Sequence, residues 1–332
     1  MDDVQPNQPN PALDPERQAI GQGPRSLRQH LEEAIAHTVQ TQLKGSPLLS
    51  SLAMQAALVT EQALLQRGEA LRQKRDVSDL EYNWAIALRL YPHRPAGTDS
   101  SLSAFATGLA HGVQHSSLPK QMPSEDHTIS VAMWANCQIT SDKQGLLQVA
   151  VGDRALLLWL QALLQYPWMP TSNFMSLDAG AIASSAPAVS QQFWIQAAHA
   201  RSCSLLRQGI LMNLVPTQIV KDLSVAIPDV TALAEWSGDL SLQSPQRPEW
   251  ALLKPSITTL DEWPAASASR RWFLVQEISQ SIWEFDAKCR LIVEAKNLPQ
   301  NRAQIQFWAL AIACKVLRTS LNNLGLYAPT AL

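Results

Sequence analysis

The chain has 332 residues, 46% of them hydrophobic and only 16% charged, with a formal net charge of -2. That length bounds one large domain or two of medium size, each able to bury its own core. The near-neutral charge excludes a protein that grips nucleic acid through bulk charge, so any RNA binding needs a local basic patch.

Pro6, Pro9, Pro11, Pro15 and Pro24 lie among Asn, Gln and Gly in residues 1–25, a segment with too little apolar surface to offset its ordering entropy. A disordered tail is expected there. The start, with Asp2 and Asp3, lacks the basic-then-apolar pattern of a secretory leader. Leu27, Leu31, Ala34, Ile35, Val39 and Leu43 recur at helical period until Gly45 and Pro47 interrupt them. The pattern predicts a second helix over 48–72, a third from Ser78 to Leu90 and a fourth over 101–113.

Ile129, Val131, Met133, Ala135, Cys137 and Ile139 alternate at period two, which predicts a strand with one buried face. The turn residues 141–145 and the strand Leu147, Val149, Val151 complete a hairpin. Gly152 and Asp153 then open a helix over Ala155–Leu164, an apolar run too short to span a bilayer. A soluble, cytoplasmic protein with no membrane partner is expected.

Pro167, Pro170, Gly180 and Pro187 mark 166–188 as a linker. A helix follows over 189–209, then an irregular stretch over 210–247 and a short helix from Glu249 to Lys254. Val275, Ile278, Ile282, Phe285, Cys289 and Ile292 alternate steps of three and four, the seam of a helix packed on a partner. Ile305, Trp308, Ile312, Val316, Leu321 and Leu324 repeat it, with Gly325 and Pro329 stopping the helix. The four cysteines, Cys137, Cys203, Cys289 and Cys314, lack ligand-type spacing and read as buried free thiols.

Gln196-Ala-Ala-His199-Ala-Arg201, Phe285 with Cys289-Arg290-Leu291, and Leu324-Gly325-Leu326 with Ala328-Pro329 resemble the DALR anticodon-binding domain of arginyl-tRNA synthetase. Asp79-Leu80 with Asn83, and Gly145 to Val149 leading into the next helix, are similar to that family's N-terminal additional domain. The chain departs from the family at Ala197, Leu146 and Gln148, where aromatic residues or asparagine are expected. The resemblance implies a mainly α protein: a C-terminal antiparallel helix bundle of the DALR type over 189–332, preceded by a smaller α+β domain with a β-hairpin over 26–165. It also implies tRNA as partner, with arginine-specific tRNA as the candidate.

The candidate tRNA-binding residues are Phe193, Trp194, Gln196, His199, Arg201, Arg207, Arg270, Arg271, Lys288, Arg290, Lys315 and Arg318, with a second patch at Arg72, Lys74, Arg75 and Gln148. Cations position an RNA through its phosphates, and exposed aromatics can stack on unpaired bases. The alternative for each is ordinary: a solvated cation, a hydrogen-bonded histidine, a core aromatic. Lys315 and Arg318, three apart, are expected to share a helix face.

His111-Gly-Val-Gln-His115 only superficially matches the nucleotide-binding signature of class I synthetases, and no βαβ context surrounds it. No catalytic constellation, metal-ligand spacing or cofactor motif emerges, so an enzyme is not expected. The expected role is noncatalytic tRNA binding. The alternatives are a protein-interaction scaffold, with a synthetase or another protein as partner, or one part of a split arginine-tRNA ligase.

Overall fold

Alternation of apolar and polar residues builds a small sheet with one buried face, and amphipathic helices close over that face. The computed structural model describes residues 26–42, 60, 71–73, 80–93, 101–114, 125–165, 179–214, 243–244, 247–291 and 300–331. The described elements of the first half are α1 (Leu27–Gln42), β1 (Leu71–Gln73), β2 (Glu81–Trp84), α2 (Ile86–Leu90), α3 (Leu102–Gln114), α4 (Glu125–Trp134), β3 (Cys137–Ser141), β4 (Leu147–Val151) and α5 (Asp153–Gln165). Those of the second half are α6 (Ala179–Ser184), α7 (Val189–Leu211), α8 (Pro248–Glu262), α9 (Ala268–Cys289) and α10 (Gln300–Asn323).

The sheet runs β1-β2-β4-β3 with every neighbouring pair antiparallel. Leu71, Tyr82, Trp84, Cys137, Ile139, Leu147, Val149 and Val151 point into the core, and their sequence neighbours point away from it. Gly145 makes the β3–β4 turn at φ +83°, and a Cβ there would lie 2.6 Å from Leu102 on α3. Only glycine meets both conditions without strain.

Helices α7, α8, α9 and α10 pack on one another. Ser267 caps α9, its hydroxyl accepting from the Arg270 amide at 3.3 Å. The C-terminal end of α10 is a Schellman closure: Leu326 N–H donates to Leu321 O at 2.9 Å and Gly325 N–H to Asn322 O at 3.0 Å, with Gly325 at φ +73°.

Several buried polar bonds join the two halves. Tyr82 Oη on β2 donates to Asp261 Oδ2 on α8, and the Arg28 amide on α1 donates to Asp261 Oδ1. Gln243 accepts from the Leu80 amide and donates to Val151 O, bridging the end of the β2–β4 ladder. A single set of contacting buried side chains extends from Leu27 to Ala328.

Several sequence expectations need correction. Residues 129–134 belong to α4, and β3 begins only at Cys137. Buried Ser130, Met133 and Trp134 follow helical steps of three and four, and Ser130 Oγ meets His30 Nδ1 of α1 at 3.0 Å. The helix expected from Ser78 to Leu90 is split, because Tyr82 and Trp84 form β2 between β1 and β4 and helix resumes at Ile86. The helix expected over 48–72 lies mostly outside the described residues, and its last two positions are strand.

The helix expected to be short, Glu249–Lys254, continues to Glu262 through Pro255. Buried Ser256, Ile257, Thr259 and Asp261 hold it against its neighbours despite the lost amide donor. Within 166–188, residues 179–184 form α6, whose Ile182 carbonyl accepts from Trp272 Nε1. The expected tail 1–25 and most of 210–247 lie outside the described residues.

Candidate functional site

After the α10 closure the chain folds back along α7. Gln196 Nε2 donates to Tyr327 O at 2.8 Å, His199 Nδ1 to Pro329 O at 2.7 Å and Arg207 Nη2 to Thr330 O at 2.7 Å. A carbonyl only accepts, so His199 Nδ1 carries a proton and Nε2 is the ring nitrogen left for another partner. Cys203 Sγ lies 3.9 Å from Nδ1 and 3.8 Å from Nε2. Three of the candidates are thus gathered by one segment, the one that closes the chain.

Beneath that contact His199, Cys203 and Cys314 are buried. The two Sγ atoms are 3.6 Å apart, and Cys203 Sγ lies 3.8 Å from His199 Nε2. The Cys314 contact, followed by burial, pushes the Cys203 thiol up, whereas the same contact pulls Cys314 down. Sequence reasoning missed this cluster. His199 and Cys203, four apart on one helix, were a usable signal, but Cys314 arrives from a helix 111 residues away.

The remaining cations are mostly drawn into internal pairs. Arg201 forks onto Asp286 at 2.8 and 3.3 Å, tying α7 to α9. Arg270 pairs with Glu262 at 2.8 Å and lies 4.7 Å over the Phe273 ring. Lys288 reaches Glu284 at 3.5 Å, both exposed. Arg271 is buried against Trp263, and burial lowers its guanidinium pKa.

Lys315 is buried too, its Nζ donating to Leu164 O in the last turn of α5. Burial lowers its pKa to about 8. Arg318 is exposed, so these two do not present one surface, contrary to expectation. Their 300° of helix rotation is shared between a core-facing position and a solvent-facing one. Arg290 is exposed at the left-handed C-cap of α9.

Phe193 is exposed, and Trp194 is half-buried against Trp283 with ring centroids 6.4 Å apart. Trp194 lines a groove of about 860 Å³ with Pro255, Phe273, Glu277 and Glu284. In the second patch, the strand register places Arg72, Asn83, Gln148 and Thr140 in one row across the outward side of the sheet. Thr140 was not singled out in the sequence, and Asn83 only as part of the family resemblance, because the row exists only through pairing. Lys74 and Arg75 lie outside the described residues.

These features define a mainly helical protein with a small antiparallel sheet, whose C-terminal segment is hydrogen-bonded back onto α7. Among the described residues no helix is long and apolar enough to cross a membrane. No family model, curated protein or solved structure matches the chain.

Proposed function

We propose that the chain is a noncatalytic tRNA-binding protein whose helical half is an anticodon-binding module of the arginyl-tRNA synthetase type. One observation carries this reading. Two of the stretches that carry the resemblance, Gln196 to Arg201 and Leu324 to Pro329, are far apart in sequence yet meet through the Gln196–Tyr327 and His199–Pro329 bonds. Segments matched by chance have no reason to be adjacent in space.

In this reading Lys288, Arg290 and Arg318 hold phosphates along the bundle, and the row Arg72, Asn83, Gln148, Thr140 meets the outer corner of the tRNA. The row offers hydrogen bonds but no aromatic platform, so it positions the RNA without stacking on its bases. The role is accessory: delivering or sequestering a tRNA, or modulating a synthetase.

Gel-shift titration of the full chain tests this, using tRNA against an unstructured RNA of equal length over a range of salt. Tighter binding to tRNA at moderate ionic strength supports the reading. Equal affinity for the two RNAs overturns it.

The α7–α8–α9 groove favours a second reading, a protein-interaction scaffold. Its walls carry Trp194, Pro255 and Phe273, its lining includes the carboxylates Glu277 and Glu284, and no lining residue is a cation. A cationic amphipathic helix fits that chemistry. Binding of a labelled Lys/Leu helix that Phe273→Glu abolishes, with no RNA bound, decides for the scaffold.

A further inference from the structure

The His199–Cys203–Cys314 cluster has the composition and dimensions of a metal site. All three ligand atoms lie within 4.8 Å of one another, and all three residues are buried. With Zn–S about 2.3 Å and Zn–N about 2.0–2.1 Å, two thiolates on a tetrahedron stand about 3.8 Å apart, and a thiolate and an imidazole nitrogen about 3.6 Å. The observed separations are 3.6 Å between sulfurs and 3.8 Å from Cys203 Sγ to His199 Nε2. Two of the three edges are thus within about 0.2 Å of what a bound ion requires, and the third, from Cys314 Sγ to the His199 ring nitrogen, is no longer than 4.8 Å.

The surroundings match as well. A metal-ligating imidazole characteristically donates its second N–H to a carbonyl or carboxylate, which fixes tautomer and ring orientation. His199 does so through Nδ1 to Pro329 O at 2.7 Å, leaving Nε2 as the ligand atom. Ser202, next to Cys203 in the chain, donates its hydroxyl to His199 O at 2.7 Å. The other described thiols are differently placed: Cys137 lies on β3 with its Sγ against Met133 O, and Cys289 ends α9.

We infer that Cys203, Cys314 and His199 bind a thiophilic d10 cation, with a water in the fourth position, and that the ion is Zn²⁺. Soft thiolates with imidazole select zinc or copper(I) over oxygen-seeking magnesium and calcium. Charge then decides between the two. Two thiolates, a neutral imidazole and a divalent ion leave the buried site neutral, whereas a monovalent ion leaves a net negative charge there. Binding converts two thiols to thiolates and releases two protons to solvent. The ion fastens α7, α10 and, through His199, the closing segment into one unit.

The test uses the untagged full chain, purified under reducing conditions without chelator. Expected are one zinc per chain by elemental analysis and release of two protons per Zn²⁺ in a weakly buffered titration of metal-stripped protein. Co²⁺ substitution should give thiolate-to-metal absorption with tetrahedral ligand-field bands. Cys203→Ser and Cys314→Ser, checked for helicity, should each weaken zinc more than about tenfold, and Cys289→Ser should not.

The wild-type cobalt spectrum does not depend on any variant folding. Absence of the charge-transfer band with both thiols titrating as free overturns the site. Preferential stoichiometric Cu⁺ binding overturns the zinc assignment, and a Cys203–Cys314 disulfide that persists under the same reducing conditions overturns both.

Discussion

Tyr82 Oη donates to Asp261 Oδ2 at 2.5 Å, a bond between two fully buried groups 179 residues apart. It joins the central strand β2 to α8, and the Arg28 amide on α1 donates to the same carboxylate at 3.1 Å. Three elements with no sequence proximity therefore share one acceptor. Burial, and next the Asp261 charge, pushes the Tyr82 phenol well above its ordinary range. Tyr82→Phe should cost about 1–3 kcal/mol, because Asp261 keeps its burial and loses a donor. Urea unfolding of the two proteins measures it.

Asp261 also predicts a pH signature. Burial raises its pKa above the ordinary aspartate value of 3.8, against the lowering effect of the Tyr82 bond. A raised acid favours the folded state fully below the unfolded pKa and loses that contribution as pH rises through the folded value. Relative to Asp261→Asn, the wild type should lose stability as pH climbs from 3.8. Paired denaturation curves across that interval check the sign.

Lys315 should give the reverse slope. Its pKa is lowered from 10.5 to about 8 by burial, so the folded chain releases a proton that the unfolded chain retains. Stability should rise with pH between those values, by about 3 kcal/mol over the full interval. Lys315→Met should flatten that rise. Matching slopes in the two proteins would refute the assignment.

Two glycines with positive φ differ in a measurable way. Gly325→Ala enters open space and carries only the left-handed backbone penalty, about 1–2 kcal/mol. Gly145→Ala adds a 2.6 Å approach to Leu102. It should therefore cost about 1–3 kcal/mol more, the range for overpacking. Thermal melts of the two variants rank them directly.

For the proposed RNA interface, Lys288→Glu, Arg290→Glu and Arg318→Glu combined should weaken tRNA binding and reduce the salt slope by about two to three. Arg271→Ala, which removes a buried cation, should instead lower stability and leave the salt slope unchanged. A salt slope unchanged by the triple reversal would exclude those three side chains from phosphate contact.

Long periodic stretches were legible in the chain. The helices Leu27–Gln42, Ala268–Cys289 and Gln300–Asn323 follow the periods read from the residues, helices stand near the expected 101–113 and 189–209, and of the expected hairpin the strand Leu147–Val151 and the 137–139 part of its partner agree. The failures were short or ambiguous elements. β1 and β2 have three and four residues, too few for a period, and they exist because β2 pairs with β4 across the sheet. The segment 129–134 satisfies both periods, and packing of Ser130 on His30 selects helix.

For the candidate site, residue types were readable but destinations were not. Arg201, Arg270 and Lys288 look like phosphate ligands until Asp286, Glu262 and Glu284 appear beside them. Cys203 and Cys314 look inert until two helices place their sulfurs 3.6 Å apart.

The amino-acid order alone determined where apolar stripes run, where Gly325 ends the last helix and how little net charge the molecule carries, because these depend on neighbours within a few residues. Only the tertiary structure decided which cations reach solvent, which strands pair and which side chains surround His199. Those outcomes depend on distances between segments a hundred or more residues apart, and local periodicity holds no record of such distances.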